Sequence, residues 1–279
     1  MNNALFTTLE ALAAQLPDGA SVTVHKGDEP DVPMALAKAL VRRGARGLHI
    51  VTLPTAAFPA SGMMVDMLIG AGCVASVETS GISLHELGAA PRFTKAVKAG
   101  TLKVLDATCP AVYAGLQAGA KGQPFAPLRG LIGSDLMRHR ADYRTIDNPY
   151  LPGDRIAVVP AINTDVAILH ASMADAEGNV WIGRDRDRLL AAHAANTVLV
   201  TVDRQVPGSF YDDEQLSAGI IPATYISALA VVPGGCWPMA LDGSVDLAAV
   251  RRYQQAALSD EGFAAWLQAE VFNQQAVVA

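Results

Sequence analysis

Residues 105–135, LDATCPAVYAGLQAGAKGQPFAPLRGLIGSD, are the stretch around which the rest of this chain is organised. The stretch begins at the end of a predicted strand over residues 102–105. A small polar cluster follows it, at Asp106, Thr108 and Cys109. Pro110 then fits the first turn of a helix, because the N–H that proline lacks has no helical partner there. The apolar spacing predicts a short, weakly amphipathic helix over residues 111–122.

The second half of the stretch, residues 123–130, has two prolines on either side of an aromatic residue. Proline fixes its own φ and restricts the residue before it, so we expect a stiff, extended backbone here. Arg129 leaves this stiff segment, and Gly130 and Gly133 let the backbone approach another group closely. A guanidinium binds oxyanions through paired hydrogen bonds, so the segment predicts a site for a carboxylate or a phosphate.

Apolar runs and helical patterns alternate along the chain, which predicts an α/β fold with an open, mostly parallel, doubly wound sheet. Several runs do not alternate with polar residues, as is typical of parallel strands covered on both faces. We expect one domain over residues 1–279, because no linker or internal repeat divides the chain. The predicted strands cover residues 21–24, 48–53, 73–77, 102–105, 156–160, 166–170 and 197–202. The predicted helices cover residues 34–43, 63–69, 91–99, 111–122, 189–196 and 247–277.

Composition excludes several classes of function. The net charge is −6 without a basic tract, so nucleic acid is not an expected partner. No apolar run approaches the roughly 20 residues of a membrane-spanning helix, and the start lacks the basic residues of a signal peptide. We therefore expect a cytoplasmic protein without a membrane partner. The 3 cysteines are widely spaced and the 6 histidines lack metal-ligand spacing, which predicts neither a disulfide framework nor a metal site.

Three blocks of sequence resemble the alpha subunit of family I CoA-transferases of the glutaconate CoA-transferase type. The first block is residues 118–135, AGAKGQPFAPLRGLIGSD. The second covers residues 158–171 and 174–180, and the third is residues 231–238, VVPGGCWP. The blocks lie in the family's order and cover most of the chain.

The loop after the first predicted strand differs from the family pattern, in which a glycine pair and an aromatic residue usually stand. Only Gly27 remains here, beside His25, Lys26 and three acidic residues. Lys26 is a candidate substrate-binding residue, because its ammonium group could meet a phosphate or a carboxylate. The alternative is a solvated turn residue that pairs with Asp28 or Glu29.

The resemblance implies the CoA-transferase type of fold, which is like that of sugar-phosphate isomerases, in an enzyme of paired subunits. The glutamate nucleophile is then expected on a beta subunit, in a heterodimer or heterotetramer with this chain. That glutamate attacks the acyl-CoA thioester, and a glutamyl-CoA intermediate passes CoA to an acceptor carboxylic acid, which divides one difficult exchange into easier steps. No permanently bound cofactor is implied, because the coenzyme A ester is itself the substrate.

By this resemblance the chain forms one wall of an acyl pocket beyond the carboxyl ends of the parallel strands. Glu78 and Asp106 are candidate catalytic acids or bases, since burial shifts a carboxyl pKa toward the range useful for proton transfer. Asp106 has an alternative role as the cap of the following helix. Arg129 is the candidate ligand of the acyl carboxylate, and the alternative is a structural ion pair with Asp135 or with a helix end.

Further candidates lie close to these residues. Ser80 follows the third predicted strand and is a candidate for substrate binding. Cys109 is another, and it is also a candidate nucleophile, because it lies at a helix N-terminus, which lowers a thiol pKa; a small buried thiol near the pocket is the alternative. Gly130, Gly133 and Ser134 are candidate CoA-ester-binding residues, whose backbone N–H groups could bind the thioester carbonyl oxygen.

Three hypotheses about function stay open at this point. The first is the alpha subunit of a CoA-transferase. The second is a hydrolase of carbon–carbon bonds in CoA esters, or a decarboxylase, on the same scaffold; Glu78, Asp106 and the altered first loop keep it open. The third is a regulator that senses sugar phosphates, against which the segment around Arg129 argues.

Overall fold

A computed structural model describes residues 5–273 and places them in one central sheet with helices on both faces and a small second sheet. The strands are β1 Ser21–His25, β2 Leu48–Leu53, β3 Val74–Thr79, β4 Lys103–Asp106, β5 Phe125–Leu128, β6 Arg144–Asp147, β7 Arg155–Pro160, β8 Thr164–Ala174, β9 Val180–Trp181, β10 Ala195–Gln205, β11 Ile220–Ile221 and β12 Ala228–Val231. The α-helices are α1 Leu9–Ala14, α2 Met34–Arg43, α3 Pro59–Gly70, α4 Pro91–Lys98, α5 Cys109–Ala120, α6 Leu136–His139, α7 Arg186–Ala194, α8 Glu214–Ser217, α9 Leu247–Ala256 and α10 Asp260–Leu267. No helix among these residues is both long and apolar enough to cross a membrane.

The central sheet has nine strands, and its parallel strands follow the order β12-β10-β8-β1-β2-β3-β4. β9 and β11 extend it by antiparallel pairing at the end of β8. The chain moves outward from β1 to β4, then returns to β8 on the other side of β1. The strand order therefore reverses between β1 and β8, and their carboxyl ends form the crevice where open α/β sheets bind ligands. The predicted mostly parallel, doubly wound sheet is confirmed.

Two apolar layers cover the faces of this sheet. α2 and α3 cover one face, and α9 packs on α3 and α10 on α9, in one buried core that includes Leu36, Leu40 and Met63. The opposite face packs against α5 and α7 through a core that includes Val112 and Leu116. Burying one such side chain contributes about 1.5–3 kcal/mol, so these layers stabilise the sheet whose edges carry the polar residues.

The proline-flanked segment forms β5, an edge strand of the small antiparallel sheet β5-β7-β6. Proline has no N–H donor and is tolerated at a sheet edge, so the predicted extended backbone is confirmed. α5 joins the two sheets through its Gly119, where a Cβ would lie 2.1 Å from the carbonyl oxygen of Ile162. Because only glycine permits this approach, α5 packs tightly on the segment between β7 and β8.

Four predicted helices differ from the structure. α5 covers Cys109–Ala120 rather than residues 111–122, and α7 covers Arg186–Ala194 rather than residues 189–196, because Asp185 caps it and β10 begins at Ala195. α3 begins at Pro59 rather than at residue 63, because proline suits the first helical position. The predicted helix over residues 247–277 is two helices, since the Ser259 side chain caps a new helix, α10. Residues 274–277 of that prediction lie outside the described residues.

Candidate functional site

Polar side chains collect where the parallel strands of the central sheet end. One group lies beyond β3 and β4, and another lies at the crevice between β1 and β8. Each strand is an apolar run that ends in polar residues. Parallel pairing therefore gathers at one edge residues that are far apart in the sequence.

Arg140 organises the group beyond β3 and β4. Its buried guanidinium donates hydrogen bonds to Glu78 at 2.7 Å, to the two Asp142 oxygens at 2.9 and 2.7 Å, and to the backbone carbonyl of Asp106 at 3.0 Å. The ring centroid of Tyr143 lies 4.2 Å from Arg140 Cζ. One cation thus joins the ends of β3 and β4 and orients Glu78.

Charge pairing sets the protonation of this group. Burial lowers the pKa of Arg140, but Asp142 and Glu78 outweigh that effect and hold the pKa above its usual value. The hydrogen bonds from Arg140 lower the pKa of Asp142, and burial raises the pKa of Tyr143 to about 12. Glu78, for which the sequence offers no obvious partner cation, therefore faces a permanent positive charge.

A cavity of about 350 Å³ lies beside Glu78 and Arg140, between the central sheet and the chain around β7. Its walls include His49 and Ser76, whose side chains share a hydrogen bond of 2.7 Å, and Lys103 of the edge strand β4. Pockets for small molecules span about 300–1,000 Å³. This cavity is at the small end of that range, and it extends along the sheet toward the beginnings of β1 and β8, at Ser21 and Thr164.

Ser80 and Cys109, predicted from separate strand ends, lie in contact. Cys109 Sγ is 3.2 Å from Ser80 Oγ, which donates a hydrogen bond of 2.9 Å to the carbonyl oxygen of Pro54. Cys109 is exposed and is the first residue of α5, which the Thr108 side chain caps. The alternative of a buried Cys109 is therefore wrong, and so is the alternative of Asp106 as the cap, because the helix begins too far beyond it.

Lys26 lies at the crevice between β1 and β8, where two carboxylates bind it. Its ammonium nitrogen is 3.1 Å from Asp28 and 3.1 Å from Asp187, and Tyr113 of α5 donates a 2.5 Å hydrogen bond to the same Asp187 oxygen. Burial lowers the pKa of Lys26, but the two carboxylates outweigh it and raise the pKa above its usual value. The predicted pairing with Asp28 is present, and the second partner is Asp187 rather than Glu29.

Next to Lys26 lies a buried network of charged groups centred on His25. Its Nδ1 contacts the Asp31 carboxylate, and its Nε2 is 3.2 Å from Oδ2 of Asp185. Asp185 accepts a hydrogen bond of 2.7 Å from Arg188 and also caps α7. Burial lowers the pKa of His25, but Asp31 and Asp185 outweigh that effect and raise it to about 10. The contact between His25 and Asp185 therefore connects the loop after β1 to the first turn of α7.

Arg129 makes no contact with the groups described above within residues 5–273. Its side chain is 68% exposed and donates a hydrogen bond of 2.6 Å to Asp154. Asp135 pairs instead with Arg138, at 2.8 Å. The structural ion pair considered from the sequence is therefore present, but with Asp154 as the partner. Binding of an acyl carboxylate by Arg129 stays a prediction.

The loop that follows Arg129 is also on the surface. Gly130 has no heavy atom within 4 Å of the position that a Cβ would take, and Gly133 has a φ of 82°. The Ser134 hydroxyl donates a hydrogen bond of 2.6 Å to the carbonyl oxygen of Leu131. The backbone of this exposed loop is open to a second molecule, and its binding of a thioester stays a prediction.

Several of the residues described above are absent from the candidates that the sequence suggests, among them Arg140, Tyr113 and Asp187. Arg140 stands in the polar run after α6, and Asp187 stands in a run of alternating charge over residues 184–188. These runs are the available signals, and both are equally typical of solvated surface. Tyr113 carries no signal, because it is one aromatic residue on a predicted helix.

Comparison with known proteins shows which family has this fold and these polar residues at the ends of its strands. The family described as Coenzyme A transferase matches residues 6–230 of the sequence. The chain belongs to this family. The resemblance drawn from the three sequence blocks is thereby confirmed.

Individual members of the family match nearly the whole chain. The A subunit of 3-oxoadipate CoA-transferase from Pseudomonas knackmussii is 31% identical, over 94% of this chain and 92% of its own. The crystal structure of glutaconate coenzyme A-transferase from Acidaminococcus fermentans matches with a TM-score of 0.84 and 26% identity, over 96% of this chain and 89% of that chain. A variant of the decarboxylase AibA/AibB matches with a TM-score of 0.79 and 30% identity, over 96% and 98% of the two chains.

Proposed function

We propose that this chain, acting as one domain over residues 1–279, is the alpha subunit of a heteromeric CoA-transferase. The enzyme moves CoA between carboxylic acids through a glutamyl-CoA intermediate on a beta subunit. The observation that carries the proposal is the similarity, over more than nine-tenths of the chain, to the A subunits of two CoA-transferases. That designation implies a second subunit in those enzymes.

The chemistry of such an exchange needs one carboxylate that can attack. The glutamate of the beta subunit forms a C–O bond to the thioester carbonyl, the C–S bond breaks, and CoA leaves as a thiolate. The thiolate then attacks the glutamyl carbonyl of the resulting anhydride and releases the first carboxylic acid. An acceptor carboxylate reverses these steps, so that no net oxidation, water or metal is required.

The carboxylates of this chain support a different role. Oε1 of Glu78 accepts a hydrogen bond from Arg140, and this ion pair makes the carboxylate less available to attack a thioester. Asp106 is exposed on the edge strand β4. A nucleophile is normally activated by a neighbouring base or by burial without a cation partner. We therefore assign Glu78 and Asp106 to acid–base or orienting roles beside the acyl group.

Cationic and hydroxyl groups of this chain suit the binding of the acyl-CoA. Lys26 and Arg140 stay protonated at the strand ends, where two carboxylates bind each of them; we assign them to hold these carboxylates in place beside the thioester. Ser80 and Cys109 supply short polar side chains between them. We assign the exposed loop with Arg129, Gly130, Gly133 and Ser134 to binding of the acyl carboxylate and the CoA ester once the beta subunit is present.

The test is reconstitution with the product of the neighbouring open reading frame as the beta subunit. Mass spectrometry follows the transfer of CoA from unlabelled acyl-CoA donors to isotopically labelled mono- and dicarboxylic acids. The proposal predicts labelled acyl-CoA only when both chains and both substrates are present. Exchange by this chain alone contradicts it, as does consumption of the donor without exchange.

The alternative is a decarboxylase, or a hydrolase of a carbon–carbon bond, that acts on a CoA ester. The match to the decarboxylase AibA/AibB, which covers nearly all of both chains, favours keeping it. The same reconstitution separates the alternatives, because a decarboxylase releases carbon dioxide and a hydrolase consumes water without an acceptor acid. A beta subunit without a glutamate at the nucleophile position would point the same way.

A further inference from the structure

The loop after β1 carries a histidine and two aspartates. His25 ends β1, Asp31 lies just before α2, and Asp28 lies between them. His25 and Asp31 are buried, whereas Asp28 is exposed. The loop therefore connects a buried polar pair to the solvent at the crevice between β1 and β8.

Direct contact between His25 and Asp31 requires a positive charge. Nδ1 of His25 contacts Oδ2 of Asp31, and the backbone N–H of Gly27 also points at this Nδ1, from 3.3 Å. An N–H that points at Nδ1 suits the unprotonated nitrogen of a neutral ring, which is the form in which an imidazole binds a metal ion. Two acceptors in buried contact repel each other unless a proton or a metal ion lies between them.

A proton leaves this cluster incomplete. A proton on Nδ1 satisfies Oδ2 of Asp31, but the buried Oδ1 has no hydrogen bond within the described residues. Buried carboxylate oxygens without such partners are rare and costly. A metal ion would satisfy them, and Asp28 offers a further ligand, since one atom each of His25, Asp28 and Asp31 lie within 4.8 Å of one another.

The second ring nitrogen of His25 has the neighbour that metal-binding histidines usually have. Nε2 is 3.2 Å from Asp185, which accepts hydrogen bonds from the Arg188 side chain and from the Asp187 N–H. A carboxylate in this position fixes the ring orientation and the tautomer of a histidine that binds metal through its other nitrogen. Asp185 is thus already held in place before any ion binds.

We propose that His25, Asp28 and Asp31 bind one divalent transition-metal ion of the Zn²⁺ or Co²⁺ type. An imidazole nitrogen with carboxylate oxygens is a ligand set that these ions accept, and exposed Asp28 leaves a path for entry and a position for water. To bind the ion, Asp28 gives up its ion pair with Lys26, and Lys26 keeps its ion pair with Asp187. The site is independent of the transferase proposal.

The test is titration of the full-length chain, as purified and then treated with EDTA and dialysed, with Co²⁺ and with Zn²⁺. Calorimetry gives the stoichiometry and affinity, and the visible absorption of Co²⁺ reports its ligands. We expect one ion per chain. His25→Gln and Asp31→Asn should each weaken binding at least about tenfold, the lower bound for even an indirect partner of a metal ligand.

Asp28→Asn keeps the test decisive if the variants at buried residues do not fold. Asp28 is exposed, and the asparagine side chain that replaces it still fits the loop. This variant should also weaken binding, whereas His193→Gln, a change to an exposed histidine of α7, should leave it unchanged. Absence of saturable binding overturns the proposal. The proposal is also overturned if Asp28→Asn and His25→Gln bind the metal ion as tightly as the unaltered chain does, because the ion would then be adventitious.

Discussion

Replacing Arg140 by methionine is the perturbation that best tests the group beyond β3 and β4. Arg140 and Glu78 are 5% and 15% exposed, and their charged atoms are 2.7 Å apart. Removing one partner of a buried ion pair costs about 3–5 kcal/mol, since the other charge is left without compensation. Asp142 is 43% exposed and water can solvate it, so we place the loss near the lower end, at about 3 kcal/mol.

The assay is urea unfolding followed by circular dichroism, with the loss taken from the shift in midpoint at constant slope. Arg138→Met is the matched control, because Arg138 is 74% exposed and pairs with exposed Asp135; its cost should stay below about 1 kcal/mol. Glu78→Gln and the double variant close a cycle, for which we expect a coupling of about 1–3 kcal/mol between Arg140 and Glu78. Equal losses for the two arginine variants, or strictly additive losses in the cycle, would refute the reasoning.

The remaining predictions concern stability at Lys38 and glycine sites, and substrate choice at Arg129. Burial lowers the pKa of Lys38 from 10.5 to about 8, so its charge costs folding about 3 kcal/mol at pH 7, and Lys38→Met should be the more stable protein. Above pH 8 the folded state loses this proton while the unfolded state keeps it, so the difference should shrink toward pH 10.5 in urea unfolding; a constant difference contradicts this. Gly62→Ala places a Cβ 1.8 Å from the Ser83 carbonyl oxygen and should cost about 3 kcal/mol in thermal unfolding. Gly130→Ala meets no atom within 4 Å and should change stability by less than about 0.5 kcal/mol; similar losses for both would contradict the packing. Arg129→Met should lower kcat/KM about tenfold more for dicarboxylates than for monocarboxylates, and equal losses would make Arg129 structural.

The sequence predicts the strands β1 to β4, β8 and β10 of the central sheet, because they are continuous apolar runs between turn residues; it does not predict the short strands β9, β11 and β12. It also predicts which residues follow the strands, and Ser80 and Cys109 do meet at that edge. Each of these inferences depends on local pattern and on one rule about parallel sheets. Residues close together in the sequence are therefore enough to predict both the strands and the polar residues that follow them.

Pairings between distant elements are beyond such inference. Arg140 follows Glu78 by 62 residues, and Asp187 follows Tyr113 by 74. Their contact depends on how the segment after α6 and the helices α5 and α7 pack on the sheet. A polar run looks the same whether it faces water or a buried carboxylate, so Arg129, with its clearer local signal, is a stronger candidate in the sequence than Arg140.

The central claim is that the attacking glutamate belongs to a second polypeptide, and trapping the intermediate tests it most directly. The assembled enzyme is incubated with acyl-CoA, reduced with borohydride and digested, and both chains are analysed by mass spectrometry. We predict one glutamate reduced to the alcohol on the beta subunit, with unmodified acidic residues on this chain. A reduced residue at Glu78, at Asp106 or at any other carboxylate of this chain would contradict the account.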